Sequence, residues 1–182
     1  MNVTTNPVVS RLALALAGFC LTVAAGMAGT IADFSAVGEA TPKLELPDLS
    51  GHRTVLEASR DQLVMVHFFA TWCEPCRQEL PALQRLASSN SRSVKLVVIS
   101  VAEPGDRVRR FTEQLRVTFP VLLDEDRSVS KSWKVSILPT TFVLDGVLKK
   151  RIVAETDIAW DTIRIEDIGK ILERTSAGTQ LN

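Results

Sequence analysis

The chain has 182 residues, and its 21 Lys and Arg balance 21 Asp and Glu, so the formal net charge is zero. That length suits one ordinary domain and little more, and the charge balance gives no electrostatic case for nucleic acid. Three cysteines cannot build a disulfide framework.

Residues 1–11 form a short N-terminus that ends at Arg11. Leu12 to Ala32 follow, uncharged and mostly apolar. As a helix this run would reach about 30 Å, one bilayer core. Arg11 flanks it on one side, Asp33 and Glu39 on the other. Arg11 is the residue that bears on the positive-inside rule, and it puts the N-terminus in the cytoplasm. Two export readings are open: an uncleaved anchor, or a long secretory signal cut near Gly26 and Ala28, or near Thr30 and Ala32. A buried soluble helix is the third reading. Cys20 does not read as a lipoprotein site, because Phe19 stands where a small residue is wanted. Either export reading places the rest of the chain outside the cytoplasm, where disulfides persist.

Residues 33–42 read as a polar linker with Gly and Pro, and the folded domain as 43–182. Lys43 to Leu46 alternates like a short strand, and residues 47–52 are a turn. Leu63 to Ala70 is a near-continuous apolar strand, suited to a sheet covered on both faces. Pro75 to Ser89 has helical spacing through Leu80, Leu83 and Leu86, with a kink expected at Pro81. Val94 to Val101 is a second buried strand and residues 106–115 a helix. Phe119 to Leu123 is a strand and residues 126–133 a short helix. Residues 140–144 and 148–154 form a hairpin about Asp145-Gly146. Residues 164–175 are the last helix. This alternation predicts an α/β fold with a central, mostly parallel sheet and helices on both faces.

The chemistry centres on Trp72-Cys73-Glu74-Pro75-Cys76. Cys73 falls at a strand-to-helix junction, where free N–H groups and the helix dipole favour a thiolate. Its pKa is expected in the roughly 3.5–7.5 range of such cysteines. Cys76, one turn on and deeper, is placed to resolve a mixed disulfide made by Cys73. Pro75 suits the first helical turn. Glu74 opposes the dipole with its own charge. Zinc sites share the Cys-x-x-Cys spacing, but a second ligand pair is missing. A structural disulfide without turnover is the other alternative.

The downstream run Leu138-Pro139-Thr140-Thr141-Phe142 adds a proline just before a strand. Together with Ala70-Thr71-Trp72-Cys73-Glu74-Pro75-Cys76, Glu79-Leu80-Pro81 and Trp160-Asp161, the chain resembles the thioredoxin superfamily. More closely it is similar to the membrane-anchored, extracytoplasmic TlpA/ResA-like thiol-disulfide oxidoreductases. The resemblance covers about residues 43 to 175. It implies a thioredoxin-like mixed sheet and a cis bond before Pro139, packed against the cysteines. Leu138, Pro139 and Thr140 would then shape a groove where a peptide pairs as an added strand, with Trp72 as apolar contact surface. It implies a single-pass anchor in the bacterial inner membrane with the catalytic domain in the periplasm. It implies proton tuning by Glu79, which falls one turn after Cys76; a solvated helix glutamate is the alternative. His67 departs from the pattern, since relatives carry Asp or Asn there. A neutral imidazole at that place is a candidate proton relay, and a hydrogen-bonded, half-buried histidine is the plainer reading.

The resemblance further implies a reductase of exported proteins, with apocytochrome c or copper-site cysteines as substrates. A membrane electron-transfer protein would recharge it. No cofactor is expected beyond the Cys73–Cys76 pair. A disulfide-forming oxidase and a non-enzymatic copper carrier are the rivals. Copper-carrying relatives use Cys-x-x-x-Cys with a distant His, and peroxidases a lone cysteine, so both fit this pair poorly.

Overall fold

The computed structural model describes residues 29–37, 40–149 and 151–178. Six strands make the main sheet: β1 (Ser35–Val37), β4 (Leu63–Phe69), β5 (Val94–Val101), β6 (Val121–Asp124), β7 (Thr140–Leu144) and β8 (Arg151–Ala154). A separate two-stranded ribbon pairs β2 (Glu45–Pro47) with β3 (Arg53–Val55). The helices are α1 (Glu74–Ser89), α2 (Gly105–Gln114), α3 (Ser128–Ser132) and α4 (Ile165–Gly178).

The sheet order is β1-β8-β7-β4-β5-β6. β4, β5 and β6 run parallel, while β7, β8 and β1 are antiparallel. β4 sits centrally and is apolar at nearly every position, because both its faces are covered. Alternation along it divides the core. Met65 and Phe69 join Leu80 and Leu83 of α1, Val108 and Phe111 of α2, and Ile168 and Leu172 of α4. Val64, Val66 and Phe68 join Trp133, which follows α3, Leu44 just before the ribbon and Leu46 within it. Three helices therefore share one face. The other is closed by short α3 and the ribbon.

Two elements depart from the sequence reading. β3 follows a tight turn in which the Asp48 carboxylate accepts from the N–H groups of Ser50 and His52 at 2.7 and 3.0 Å. Gly51 turns the chain there with φ +84°, a conformation glycine adopts without penalty. The residues expected to be linker also belong partly to the fold. β1 pairs with β8 in the register Ser35↔Val153, and Phe34 is buried edge-on against Trp160 at 6.2 Å between rings. Even Gly29, inside the apolar run, bridges Ile158. A three-residue strand has no readable period, and its partners lie more than a hundred residues downstream. The rest of the apolar run, residues 12–28, lies outside the described residues. Among the described residues no helix is long and apolar enough to cross a membrane.

Candidate active site

β4 ends at Phe69, and the turn Ala70-Thr71-Trp72 delivers Cys73 to the N-terminus of α1. Cys73 is the N-cap residue, and its sulfur accepts from the Cys76 amide at 3.3 Å. A helix N-terminus leaves such donors unpaired, so a thiolate at this position meets an N–H already aimed at it. Cys73 and Cys76 are joined in a disulfide. Cys73 is 5 % exposed and Cys76 fully buried. Attack from outside therefore reaches Cys73 first. Glu74 points outward, where it accepts from Gln78 at 3.1 Å and faces Arg77 at 3.8 Å.

The Leu138–Pro139 bond is cis. Trp72 and Ile137 stand exposed at its flank, at 66 % and 53 %. With Val101, Val135, Leu138 and Arg127 they line a groove of about 400 Å³. Pro139 is buried. Thr140, expected to contact substrate, turns its hydroxyl inward onto the Ile137 carbonyl at 2.7 Å and is fully buried. Its side chain fixes the loop instead of facing the groove.

Glu79 is buried, which removes the reading of it as a solvated glutamate. Its Oε2 accepts from the Ile158 amide and from Trp160 Nε1, both at 2.8 Å. Burial pushes its pKa up to about 8, against those two bonds, which pull it down, while the Asp157 charge adds to the rise. His67 lies opposite, on the α1 side of β4, with Nε2 3.7 Å from Glu79 Oε1. Burial pushes its pKa down to about 3. At neutral pH the two therefore face each other as neutral acid and neutral imidazole, and 3.7 Å is not an ion pair there. Neither of these two atoms has another hydrogen-bond partner. His67 Nδ1 pairs with the Thr141 hydroxyl at 2.9 Å across the β4–β7 register.

Sequence reasoning missed Glu103. It is buried beyond the end of β5 and accepts from the Thr71 amide at 2.7 Å, from the Thr71 hydroxyl, and from Ser100 at 3.1 Å. The turn carrying Trp72 and Cys73 is thus pinned by a carboxylate from the neighbouring strand end. No local signal marks Glu103, because its partner is 32 positions away. Thr141 was also missed, although strand pairing with His67 follows from the sheet order. Among the described residues no group of three or more His, Cys, Asp and Glu could hold a metal ion.

The geometry is that of a dithiol–disulfide pair with a buried proton site behind it, and known proteins share both fold and sequence. Residues 37–152 match the AhpC/TSA family. The thiol-disulfide oxidoreductase ResA of Geobacillus kaustophilus (strain HTA426) is 35 % identical over 141 residues, 76 % of this chain and 77 % of that protein. The ResA of Bacillus subtilis (strain 168) is 37 % identical over 109 residues, 59 % of this chain and 61 % of that protein. The crystal structure of StoA from Bacillus subtilis superposes with a TM-score of 0.58 at 24 % identity, covering 75 % of this chain and 99 % of StoA.

Proposed function

The chain belongs to the AhpC/TSA family and is a thiol-disulfide oxidoreductase of the ResA type, and on that premise we propose that it reduces disulfides of exported proteins through Cys73 and Cys76. The observation that carries the reading is the Cys73 sulfur at the N-cap of α1, receiving the Cys76 amide, beside an open apolar groove.

In the reduced enzyme the Cys73 thiolate attacks one sulfur of the substrate disulfide. The Cys73–substrate bond forms, the substrate S–S bond breaks, and the leaving sulfur takes a proton from solvent. Cys76 then attacks Cys73, the enzyme disulfide closes, and the second substrate sulfur leaves to be protonated in turn. Two electrons pass from the cysteines to the substrate. The Cys76 proton cannot go directly to water, because Cys76 is fully buried. Glu79, one turn further along α1, is its acceptor, and the oxidised form then holds a neutral carboxyl, in keeping with a pKa of about 8. When Glu79 later releases that proton, His67 relays it as a neutral ring, Nε2 taking it while Nδ1 passes one to the Thr141 hydroxyl. Trp72 and Leu138 line the groove in which the substrate segment lies, and buried Pro139 holds the Leu138 backbone beside it.

The substrate class is a paired-cysteine segment of an exported protein, of the apocytochrome c or copper-site kind. The apolar N-terminal run supports a domain exported to the periplasm, either anchored in the inner membrane or released by cleavage. A membrane electron-transfer protein restores the dithiol, and no cofactor beyond the cysteine pair takes part. A Cys76→Ser variant tests the reading. It should accumulate Cys73-linked mixed disulfides with exported cysteine proteins, and a failure to trap any would contradict it.

A further inference from the structure

We propose that Gly29, near the end of the apolar run, and Phe34, just after it, are positioning residues that hold the two donors to the Glu79 carboxyl. The inference rests on Glu79 as the proton acceptor of the exchange reaction, and it extends the site to a part of the chain outside the thioredoxin-like core.

The Gly29 amide donates to the Asp157 carbonyl at 2.7 Å, and the Gly29 carbonyl accepts from the Ala159 amide at 2.9 Å. Those two bonds grip the chain on either side of Ile158. Along an extended backbone, successive N–H groups point to opposite edges. With the 157 carbonyl and 159 amide turned toward Gly29, the Ile158 amide faces the other way, onto Glu79 Oε2 at 2.8 Å. The second donor is fixed by packing. Phe34 meets Trp160 edge-on, and Trp160 Nε1 donates to the same oxygen. Both bonds to the carboxyl thus depend on one strap.

Glycine is required at 29 by close approach. A Cβ there would sit 2.7 Å from Thr156 Cγ2 and 2.9 Å from the Asp157 carbonyl oxygen. The second of these is backbone, so a larger residue must push the strap off the 157–159 segment. The strap is held to its own shape by Asp33, whose carboxylate accepts from the Thr30 amide and hydroxyl.

The ionisable groups around Glu79 are few. His67 faces it from β4, and Cys76 precedes it on α1. Asp157 acts from the gripped segment. Asp33 stays with Thr30, and Asp161 is engaged outside by Arg85 at 2.8 Å. None of these donates to Oε2, so loosening the strap leaves that oxygen with no replacement. Hydrogen bonds to a carboxylate favour its charged form. Their loss must therefore move the Glu79 proton midpoint upward. The two cleavage positions suggested by the small residues are then not equivalent. A cut after Ala28 keeps the Gly29 bridge, and a cut after Ala32 removes it.

The test is made in the full, oxidised chain. The protonated carboxyl of Glu79 is followed by infrared spectroscopy across pH and assigned by its disappearance in Glu79→Gln. Gly29→Val and Phe34→Ala should each raise the midpoint by about one pH unit, a tenfold change in proton affinity, while Phe34→Leu stays near wild type. If Gly29→Val does not fold, Gly29→Ala carries the same expectation with a single methyl. A midpoint that stays put while melting temperature falls would show a structural strap only and overturn the inference. The titration needs no substrate. It therefore stands apart from the reading of Glu79 as the proton acceptor of exchange, which fails separately if Glu79→Gln leaves the pH dependence of exchange unchanged.

Discussion

His67 Nε2 lies 3.7 Å from Glu79 Oε1, in the core behind a closed disulfide, and neither atom has another hydrogen-bond partner. Two buried polar atoms left facing each other are costly unless a proton lies between them. With Nδ1 donating to the Thr141 hydroxyl, Nε2 is free to accept from a protonated Glu79. The pair then keeps zero net charge, which is the state burial favours for both.

Stability should follow from that pairing with a defined shape in pH. Unfolded, Glu79 loses its proton near 4.5, while in the fold it keeps it to about 8. Unfolded, His67 gains a proton near 6.5, while in the fold it does so only near 3. Above 6.5 only the Glu79 difference acts, and stability falls as pH rises toward 8. Below 4.5 only the His67 difference acts, and stability falls as pH drops toward 3. Between them the two slopes oppose, so denaturant midpoints should be nearly flat. Each slope is at most about 1.4 kcal/mol per pH unit. Glu79→Gln should abolish the alkaline decline, which pH-dependent denaturation measures directly.

Exchange kinetics should depend on the ring as well as the carboxyl. His67→Asn removes the onward acceptor and should slow closure of the enzyme disulfide by about a hundredfold, within the range for a lost proton-transfer group. The pH–rate inflection should move with it. Thr141→Val, which keeps the shape of the core position, should displace the inflection in the same direction with a smaller loss of rate. Stopped-flow exchange at several pH values reads both; an unchanged profile in His67→Asn would exclude the relay.

Glu103→Gln should loosen the Thr71 turn. The substitution keeps the side-chain shape but removes the charge that receives the Thr71 amide and hydroxyl. A bond to a charged group is worth about 1.5–3 kcal/mol, so melting should fall by several degrees. Because Trp72 and Cys73 follow on the same turn, kcat/KM for a peptide disulfide should fall too.

Trp72→Ala should separate binding from folding. Trp72 is 66 % exposed, so its loss should barely change stability. It should raise KM for a peptide disulfide by about tenfold, close to 1.4 kcal/mol, with little effect on a small disulfide that leaves the groove empty.

Much of this architecture is legible in the residues. The apolar run at Leu63–Phe69 and the helical spacing through Leu80, Leu83 and Leu86 are local patterns, and the fold realises both. Cys73 and Cys76 mark themselves by spacing, and strand alternation sends His67 to the helix side. What stays hidden depends on distant partners. β1 exists because β8 offers it an edge, and Phe34 is buried because Trp160 is there. Glu103 looks like an ordinary loop acid until the sheet brings it to Thr71. Thr140 looks like a groove residue until its hydroxyl is seen bonded to Ile137.

The central claim is that the Cys73–Cys76 pair gives electrons to exported proteins. Its reduction potential, measured at pH 7 against a glutathione or thioredoxin couple, tests that most directly. A value near −270 mV, in the range of thioredoxin-like reductants, is the result expected. A value above about −150 mV, approaching that of a strong disulfide-forming oxidant, would contradict the reductase reading.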